Sequence, residues 1–261
     1  MSPRRAPDER RACPACGPKA RAPANRRRPV MAVWYDARGR VTVYCHRCQA
    51  CRVAPGLVPA ARPVSRTPAR DTAELAAYLW QRSQPAGRSP VETYLGAVRG
   101  IDLPVPETVR YLPAHGPHPH AMIAAFGAAD EVEPGRLAAP ARVTAVHLTA
   151  LAPDGRARLA KRMLGPVSGQ PLMLAPPNDA LGLVVTEGIE DALSVHVATG
   201  LGAWAAGSAS HMGKLADAVP DWIDCVSVLV DHDPAGQRGA ARLMDALRRR
   251  GLSAGPVTLG G

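Results

Sequence analysis

The sequence predicts an α/β protein in three parts: a small N-terminal β module, an α+β middle region, and a C-terminal parallel sheet flanked by helices. Three observations predict it. Closely spaced cysteines lie in the first part, a proline- and arginine-rich stretch follows, and from Gly182 onward apolar runs alternate with helical patterns. Apolar strands that alternate with helices favour a parallel sheet covered on both faces.

Positive charge is concentrated at the N-terminus. The chain of 261 residues has 32 Lys and Arg against 22 Asp and Glu, a formal net charge of +10. Residues 1–70 hold 16 basic and 3 acidic residues, a net +13, whereas residues 71–261 hold 16 and 19, a net −3. This asymmetry is typical of a nucleic-acid-binding end, and it is equally compatible with a generally arginine-rich composition.

Several classes of protein are excluded by the pattern of apolar residues. No apolar run is long enough for a transmembrane helix, and the charged N-terminus lacks the apolar segment of a secretory signal. We therefore expect a cytoplasmic protein with no membrane partner. In a reducing compartment, clustered cysteines favour a metal site over disulfides.

Two pairs of cysteines have the C-x-x-C spacing, namely Cys13 with Cys16 and Cys45 with Cys48. A two-residue turn lets both thiolates of a pair point at one ion, and two such pairs are the sequence signature of a tetrahedral structural zinc site. These four cysteines are our preferred Zn²⁺ ligands.

The segment between the pairs contains two short β-type runs, Met31–Tyr35 and Arg40–Tyr44. A hairpin formed by these runs would bring the pairs together, which is the shape of a zinc ribbon. Cys51 and His46 remain alternatives for one of the four ligand positions. Cys225 lies in an apolar run and is predicted to be a core residue.

Composition divides the chain into four stretches. Residues 1–52 form the basic zinc-ribbon module, and residues 53–70 form a Pro/Arg-rich linker. Residues 71–180 form the α+β middle region, and residues 181–261 form the domain with the parallel sheet.

The middle region is predicted to begin with two helices. The first follows an N-cap at Asp71, and the second follows Ser89 and runs to Gly100. A short helical turn is predicted for Glu107–Tyr111. Strands are predicted on either side of a turn at Asp154-Gly155: Ala121–Phe126, Val143–Leu151 and Ala157–Leu164.

In the C-terminal part, β-strands and α-helices are predicted to alternate strictly along the chain. The predicted strands are Leu183–Glu187, Gly202–Ala206, Cys225–Asp231 and Pro256–Leu259. The predicted helices are Ile189–Thr199, Ser208–Val219 and Ala235–Arg250.

Carboxylates follow two of these strands. Glu187 ends the first strand, with Asp191 one helical turn later, and Asp231 and Asp233 end another strand with i, i+2 spacing. Ligands of open parallel sheets bind at the carboxyl ends of the strands, so these acids should share one edge. Converging carboxylates require a hard divalent cation such as Mg²⁺, and such a site suits phosphoryl or nucleotidyl transfer.

These acidic motifs resemble the Toprim domain. That domain is shared by bacterial-type DNA primases, type IA and type II topoisomerases, OLD-type nucleases and recombination mediators. The stretch that begins Asp233-Pro-Ala-Gly is most similar to the primase version, and so is the order of a zinc ribbon before a Toprim domain. A topoisomerase is disfavoured, since nothing else in the chain resembles the domain that carries its nucleophilic tyrosine.

The middle region also resembles phage and mobile-element primase-like proteins. Thr93-Tyr-Leu with Arg99-Gly-Ile101 is similar to their "YL…RGI" element, and the hairpin before the Toprim part carries Lys161 and Arg162 at its basic position. The resemblance implies that these two side chains contact template or nucleotide phosphates. A solvated hairpin face is the alternative interpretation for both.

The resemblance also assigns roles to the acids. Glu187 would be a metal ligand or a general acid/base, Asp231 and Asp233 would hold Mg²⁺ or Mn²⁺, and Asp191 would be a supporting carboxylate near the metal. These are the catalytic residues that we expect.

The resemblance thus implies a DNA primase, a nucleotidyltransferase that makes RNA primers on a single-stranded DNA template from NTPs during DNA replication. A replicative helicase is a candidate partner. Primase-type Toprim domains continue with a further strand and acidic segment, whereas this sequence ends at Gly261. Two alternatives therefore stay open: a non-catalytic DNA-binding accessory resembling recombination mediators, and a Toprim nuclease.

Overall fold

The chain folds into two compact units, Met1–Arg66 and Thr67–Gly261. The computed structural model describes residues 9–14, 16, 30–35, 40–45, 48, 51–55 and 72–257. Every helix in those ranges is too short or too polar to cross a membrane.

The first unit contains an antiparallel sheet of four strands in the order β1-β2-β3-β4. The strands are β1 (Glu9–Arg11), β2 (Met31–Tyr35), β3 (Arg40–Cys45) and β4 (Cys51–Pro55). The predicted hairpin is confirmed, because β2 pairs with β3 and places Val33 opposite Val43. Its turn, residues 36–39, lies outside the described residues.

The second unit begins with three short helical elements. They are α1 (Thr72–Gln81), α2 (Pro90–Thr93) and a π-helix (Tyr94–Val98) that continues α2. The predicted start of α2 is confirmed, because the Ser89 hydroxyl accepts a hydrogen bond from the Val91 amide at 3.1 Å. The predicted N-cap of α1, Asp71, lies outside the described residues.

A five-stranded antiparallel sheet follows in the order β11-β10-β7-β6-β5. Its strands are β5 (Gln84–Pro85), β6 (Val109–Leu112), β7 (Ala121–Ala125), β10 (Val146–Leu151) and β11 (Arg158–Leu164), and a separate ribbon joins β8 (Glu131–Glu133) to β9 (Arg136–Leu137). The helical turn predicted for Glu107–Tyr111 is wrong. The chain there pairs with β7 as strand β6, because this pairing buries Val109 in the core.

The C-terminal sheet has the strand order β12-β14-β13-β15-β16. Its strands are β12 (Leu172–Ala175), β13 (Gly182–Thr186), β14 (Gly202–Ala205), β15 (Cys225–Leu229) and β16 (Ser253–Val257). The predicted parallel sheet is confirmed for β13 to β16, and β12 adds an antiparallel edge strand. Cys225 is exposed, contrary to the prediction, because it stands at the first position of its strand.

Helices cover both faces of this sheet. They are α3 (Ile189–Thr199), α4 (Ala209–Met212), a 3-10 turn (Ala216–Ala218) and α5 (Pro234–Arg249). The single helix predicted for 208–219 is wrong, since it is divided in two near Gly213. Glycine is a weak helix former, and here its backbone lies so close to α5 that an added Cβ would stand 2.9 Å from the Cβ of Arg242.

The second unit is built from two large sheets with helices packed between and outside them. Helix α3 lies between the two large sheets and shares one core with both, through residues such as Leu193, Leu151 and Val184. Helix α1 packs on the far face of the antiparallel sheet, and α4 and α5 pack on the far face of the parallel sheet. The hairpin of β10 and β11 therefore belongs to the same packed body as α3.

Candidate functional site

The four predicted zinc ligands lie together in the first unit. The Sγ atoms of Cys13, Cys16, Cys45 and Cys48 all lie within 4.8 Å of one another. The Cys13–Cys48 and Cys16–Cys45 sulfur pairs are 3.8 and 3.5 Å apart. A tetrahedral zinc ion with Zn–S bonds of about 2.3 Å requires sulfur separations of about 3.8 Å. The cluster could therefore bind Zn²⁺ with little movement.

The electrostatics of the cluster also fit a cation. Burial, together with hydrogen bonds from the neighbouring thiols, raises the pKa of Cys16 to about 12. Four thiols this close can lose their protons together only if a positive ion compensates the charge. Of the two alternative ligands, His46 and the side chain of Cys51 lie outside the described residues.

The predicted acids stand at the carboxyl ends of neighbouring parallel strands. Glu187 follows β13 directly, and Asp231 and Asp233 follow β15, which pairs with β13. Asp191 lies in the first turn of α3. We refer to these four carboxylates as the acidic edge.

Backbone hydrogen bonds hold the turn that presents Glu187. The Gly207 amide, just after β14, donates to the Glu187 carbonyl oxygen at 2.9 Å. The Thr186 hydroxyl donates to the Gly188 carbonyl oxygen at 2.6 Å. A Cβ at position 188 would stand 2.6 Å from Oδ2 of Asp191, so a side chain there would displace the Asp191 carboxylate. The Glu-Gly pair thus lets α3 begin immediately beside the strand end.

The two aspartates after β15 are held in different ways. The Asp233 carboxylate caps α5 by accepting a hydrogen bond from the Gly236 amide at 2.7 Å. Asp231 lies against the same glycine, since a Cβ on Gly236 would stand 2.5 Å from the Asp231 Cβ. The helix cap explains Asp233 in the Asp-x-Asp-Pro-x-Gly pattern, and the close contact with Asp231 explains the glycine. One carboxylate oxygen of Asp233 is therefore already engaged in the cap.

Burial and mutual repulsion both disfavour the ionised carboxylates of the acidic edge. Burial and the negative charges of Asp231 and Asp233 raise the pKa of Glu187. Burial and the charges of Glu190 and Asp231 raise the pKa of Asp191. Like charges brought this close favour either protonation or a bound cation.

The donor set of the acidic edge fits Mg²⁺ or Mn²⁺, which take carboxylate oxygens and keep positions for water and phosphate. The edge is more open than the cysteine cluster. Within the described ranges, only the four cysteines bring three or more potential ligand atoms within 4.8 Å of one another. A metal at the edge would therefore be held by a few of these oxygens, with room for other ligands.

The two predicted phosphate-binding residues are separated by the register of β11. Lys161 lies opposite Thr149 and Arg162 lies opposite Leu148, so neighbouring side chains project from opposite faces. The positive charge of Lys161 opposes the rise in the pKa values of Glu187 and Asp191, so its ammonium is near enough to interact with the acidic edge. Arg162 lies on the other face, the one that packs against α1.

A buried cluster beside the edge was not predicted from the sequence. Glu190 is only 3% exposed, and its Oε1 accepts hydrogen bonds from the Tyr94 hydroxyl at 2.7 Å and from Nη1 of Arg158 at 3.3 Å. Burial alone would raise the pKa of Glu190, but the Tyr94 hydrogen bond and the charges of Lys161 and Arg158 leave it lowered. The partners are far apart in sequence, so no local pattern announces the cluster.

Two protein-family models match the chain. Residues 182–260 match the family model described as the Toprim domain, and residues 70–174 match that of a domain of unknown function (DUF7146). The predicted α/β class with a C-terminal Toprim sheet is therefore confirmed. No curated protein sequence matches the chain.

Among solved structures, the chain is similar to the primase fragment of the primase-helicase protein of bacteriophage T7. The two share 15% sequence identity, with a TM-score of 0.38 over 85% of this chain and 84% of that one.

Proposed function

We propose that this protein is a primase-like nucleotidyltransferase that makes RNA primers on single-stranded DNA. One observation carries the proposal: the chain has a Toprim domain in which Glu187 and Asp231 follow the paired parallel strands β13 and β15 at the carboxyl edge of the sheet. A cluster of four cysteines precedes this domain, as it does in the primases that the sequence resembles.

In this proposal, Glu187, Asp231 and Asp233 hold Mg²⁺ or Mn²⁺, and Asp191 supports them. The metal would supply Lewis-acid stabilisation of phosphate oxygens during nucleotidyl transfer. The pKa of Glu187 is raised, which is the direction that suits a carboxyl group acting as a general acid or base.

The remaining parts of the chain have supporting roles. Lys161 stands near the acids from the neighbouring sheet and would neutralise nucleotide or template phosphates. The basic first unit would bind the DNA backbone in a salt-dependent way, because phosphate contacts release counterions.

The deciding experiment is a primer-synthesis assay with labelled NTPs, single-stranded template and Mg²⁺ or Mn²⁺. Wild-type protein is expected to make short RNA products, and Asp231→Ala or Glu187→Ala is expected to reduce synthesis by roughly 10³-fold or more. Asp245→Ala, in the exposed part of α5, is the matched control for the loss of a carboxylate. Full synthesis by either edge variant, with its zinc content and fold intact, would contradict the proposal.

Assays of DNA cleavage and DNA binding, run beside the primer-synthesis assay, separate the alternatives that the sequence leaves open. A Toprim nuclease would cut DNA with Mg²⁺ and without nucleotides, and the edge variants would lose that cleavage. A DNA-binding accessory would bind DNA at full strength in Mg²⁺-free buffer and incorporate no nucleotide.

A further inference from the structure

An irregularity in β11 decides which basic side chains face the acidic edge. Residues 158 and 162 are four positions apart, so in a regular strand they would share a face. In the structure, Ala160 lies opposite Ala150, but Arg158 lies opposite Leu151, which leaves Leu159 as an extra residue in β11. This β-bulge turns Arg158 over to the other face of the sheet.

The bulge places Arg158 on the same face as Lys161. Directly opposed residues of an antiparallel pair project to the same side, so Arg158 lies with Leu151 and Lys161 lies with Thr149. Leu151 is buried in the core that contains α3, the helix after Glu187. Leu148, opposite Arg162, is buried in the separate core with α1.

The Arg158 guanidinium is held in place yet remains open to solvent. Its Nη1 atom lies 3.3 Å from the buried Oε1 of Glu190, while 41% of the side chain stays exposed. A guanidinium has five N–H donors in a planar fork that matches phosphate oxygens, so most of its donors are left for a ligand. The charges of Arg158 and Lys161 both act on Glu190 and on His147, which shows that the two cations lie near the same groups.

Glu190 is itself anchored from a third element. Tyr94 is the first residue of the π-helix and is only 2% exposed. Its hydroxyl donates a hydrogen bond to the same Oε1 atom of Glu190 at 2.7 Å. Single π-turns occur often at functional sites, because they shift side chains out of the α-helical register. The anchor therefore joins the middle region, the β11 hairpin and the first turn of α3.

We propose that Arg158, together with Lys161, binds the phosphates of a nucleoside triphosphate beside the acidic edge, and that Glu190 is the positioning residue that holds the Arg158 guanidinium. Arg162, which the sequence alone pairs with Lys161, has no part in this site. The inference rests on the proposed function, because it names the groups that would hold the substrate of that reaction.

The test is binding of ATP with Mg²⁺ to the full chain, measured by calorimetry without template. Arg158→Ala is expected to raise the Kd for ATP by at least about tenfold, the loss expected for a charged hydrogen-bonding group. Arg162→Ala is expected to change it less than twofold. The control is Arg156→Ala, an exposed arginine at the turn of the same hairpin.

Unchanged ATP binding by Arg158→Ala, or an equal loss in Arg162→Ala, would overturn the inference. If Arg158→Ala does not fold, Arg158→Lys carries the test, because it keeps the charge and loses the planar fork. If Arg158→Lys binds ATP about threefold or more weakly than the wild-type protein, the inference is supported. If it binds ATP with wild-type affinity, the inference is overturned.

The role of Glu190 is tested by a double-mutant cycle. Glu190→Gln should weaken ATP binding in the wild-type background and have no further effect in Arg158→Ala. Independent effects that multiply would show that Glu190 acts on something other than Arg158.

The experiments can contradict this inference without contradicting the proposed function, and the reverse is also true. A wild-type protein that binds ATP through Arg158 but makes no primers would contradict only the proposed function. A protein that makes primers and binds ATP equally well without Arg158 would contradict only the present inference.

Discussion

The two candidate metal sites of this chain differ in how closely their ligands are gathered. In the first unit, four sulfur atoms already lie within 4.8 Å of one another, close to the spacing of a zinc tetrahedron. At the acidic edge, the carboxylates come from two strand ends and a helix, and the donor oxygens are more widely spaced. The cysteine cluster is a closed site, which suits a structural ion, whereas the acidic edge is an open site with coordination positions left for other ligands.

The two sites are also built differently. The cysteines stand in and beside the strands of one small antiparallel sheet, so the ion would supply much of the stability of that unit. The acids stand on elements that two large cores already hold in place, and their positions are set by a helix cap and close glycine contacts. Loss of metal should therefore affect the two units very differently.

Removal of zinc is expected to have the largest effect. Cys45→Ala should abolish binding of one zinc ion per chain and unfold the first unit, because a structural zinc ion supplies on the order of 10 kcal/mol in small domains. Zinc content and protease resistance of residues 9–55 measure the result. Removal of Mg²⁺ alone should leave both unchanged, and Cys225→Ala, at an exposed cysteine of the second unit, is the matched control.

Retention of zinc and of protease resistance in Cys45→Ala would show that Cys45 is not a ligand. In that case Cys51 or His46 would be the ligand to test next.

Gly236→Ala should have the second largest effect, and on the open site alone. The added Cβ would stand 2.5 Å from the Asp231 Cβ, so Asp231 must move. Displacement of a catalytic group by about 1 Å can cost about 100-fold in rate, so we expect a loss of roughly 10–100-fold in primer synthesis.

Gly255→Ala is the control for this substitution, because Gly255 lies in β16 of the same unit and an added Cβ there has no heavy atom within 4 Å. Thermal unfolding should change little in either variant. Full activity of Gly236→Ala would show that the position of Asp231 is not critical.

The smallest expected effect is on the pH dependence of stability, through the buried side chain of His147. His147 is buried, and burial together with the positive charge of Lys161 lowers its pKa to about 4. The neutral ring is favoured in the folded protein. Its contribution to stability is therefore complete above the usual histidine pKa of about 6.5 and is lost as the pH falls toward 4.

Urea unfolding of the second unit between pH 7 and 4.5 measures this contribution. The wild-type protein should lose up to about 1.4 kcal/mol more per pH unit over part of this range than His147→Gln, the slope of one extra proton. His115→Gln, at an exposed loop position, should keep the wild-type slope. Parallel curves for the wild-type protein and His147→Gln would contradict a neutral, buried His147.

Local patterns predict much of this structure. The hairpin of β2 and β3, the start of α2 at Ser89, and the ends of α3 agree with their sequence signals, because caps, turns and periodicity act over a few residues. The failures have tertiary causes. Strand β6 forms because β7 pairs with it, and the helix predicted for 208–219 divides where its backbone meets α5.

In the candidate sites, too, some features follow from the local sequence and others only from the tertiary structure. Short spacings along the chain determine the cysteine pairs and the acids after β13 and β15, since adjacent strand ends and tight turns bring such residues together in any fold of this class. Only the tertiary structure decides the partners of Glu190 and which arginine accompanies Lys161. Those depend on one extra residue in β11 and on the packing of α3 between two sheets, and a side-chain face reverses with a one-residue change in register.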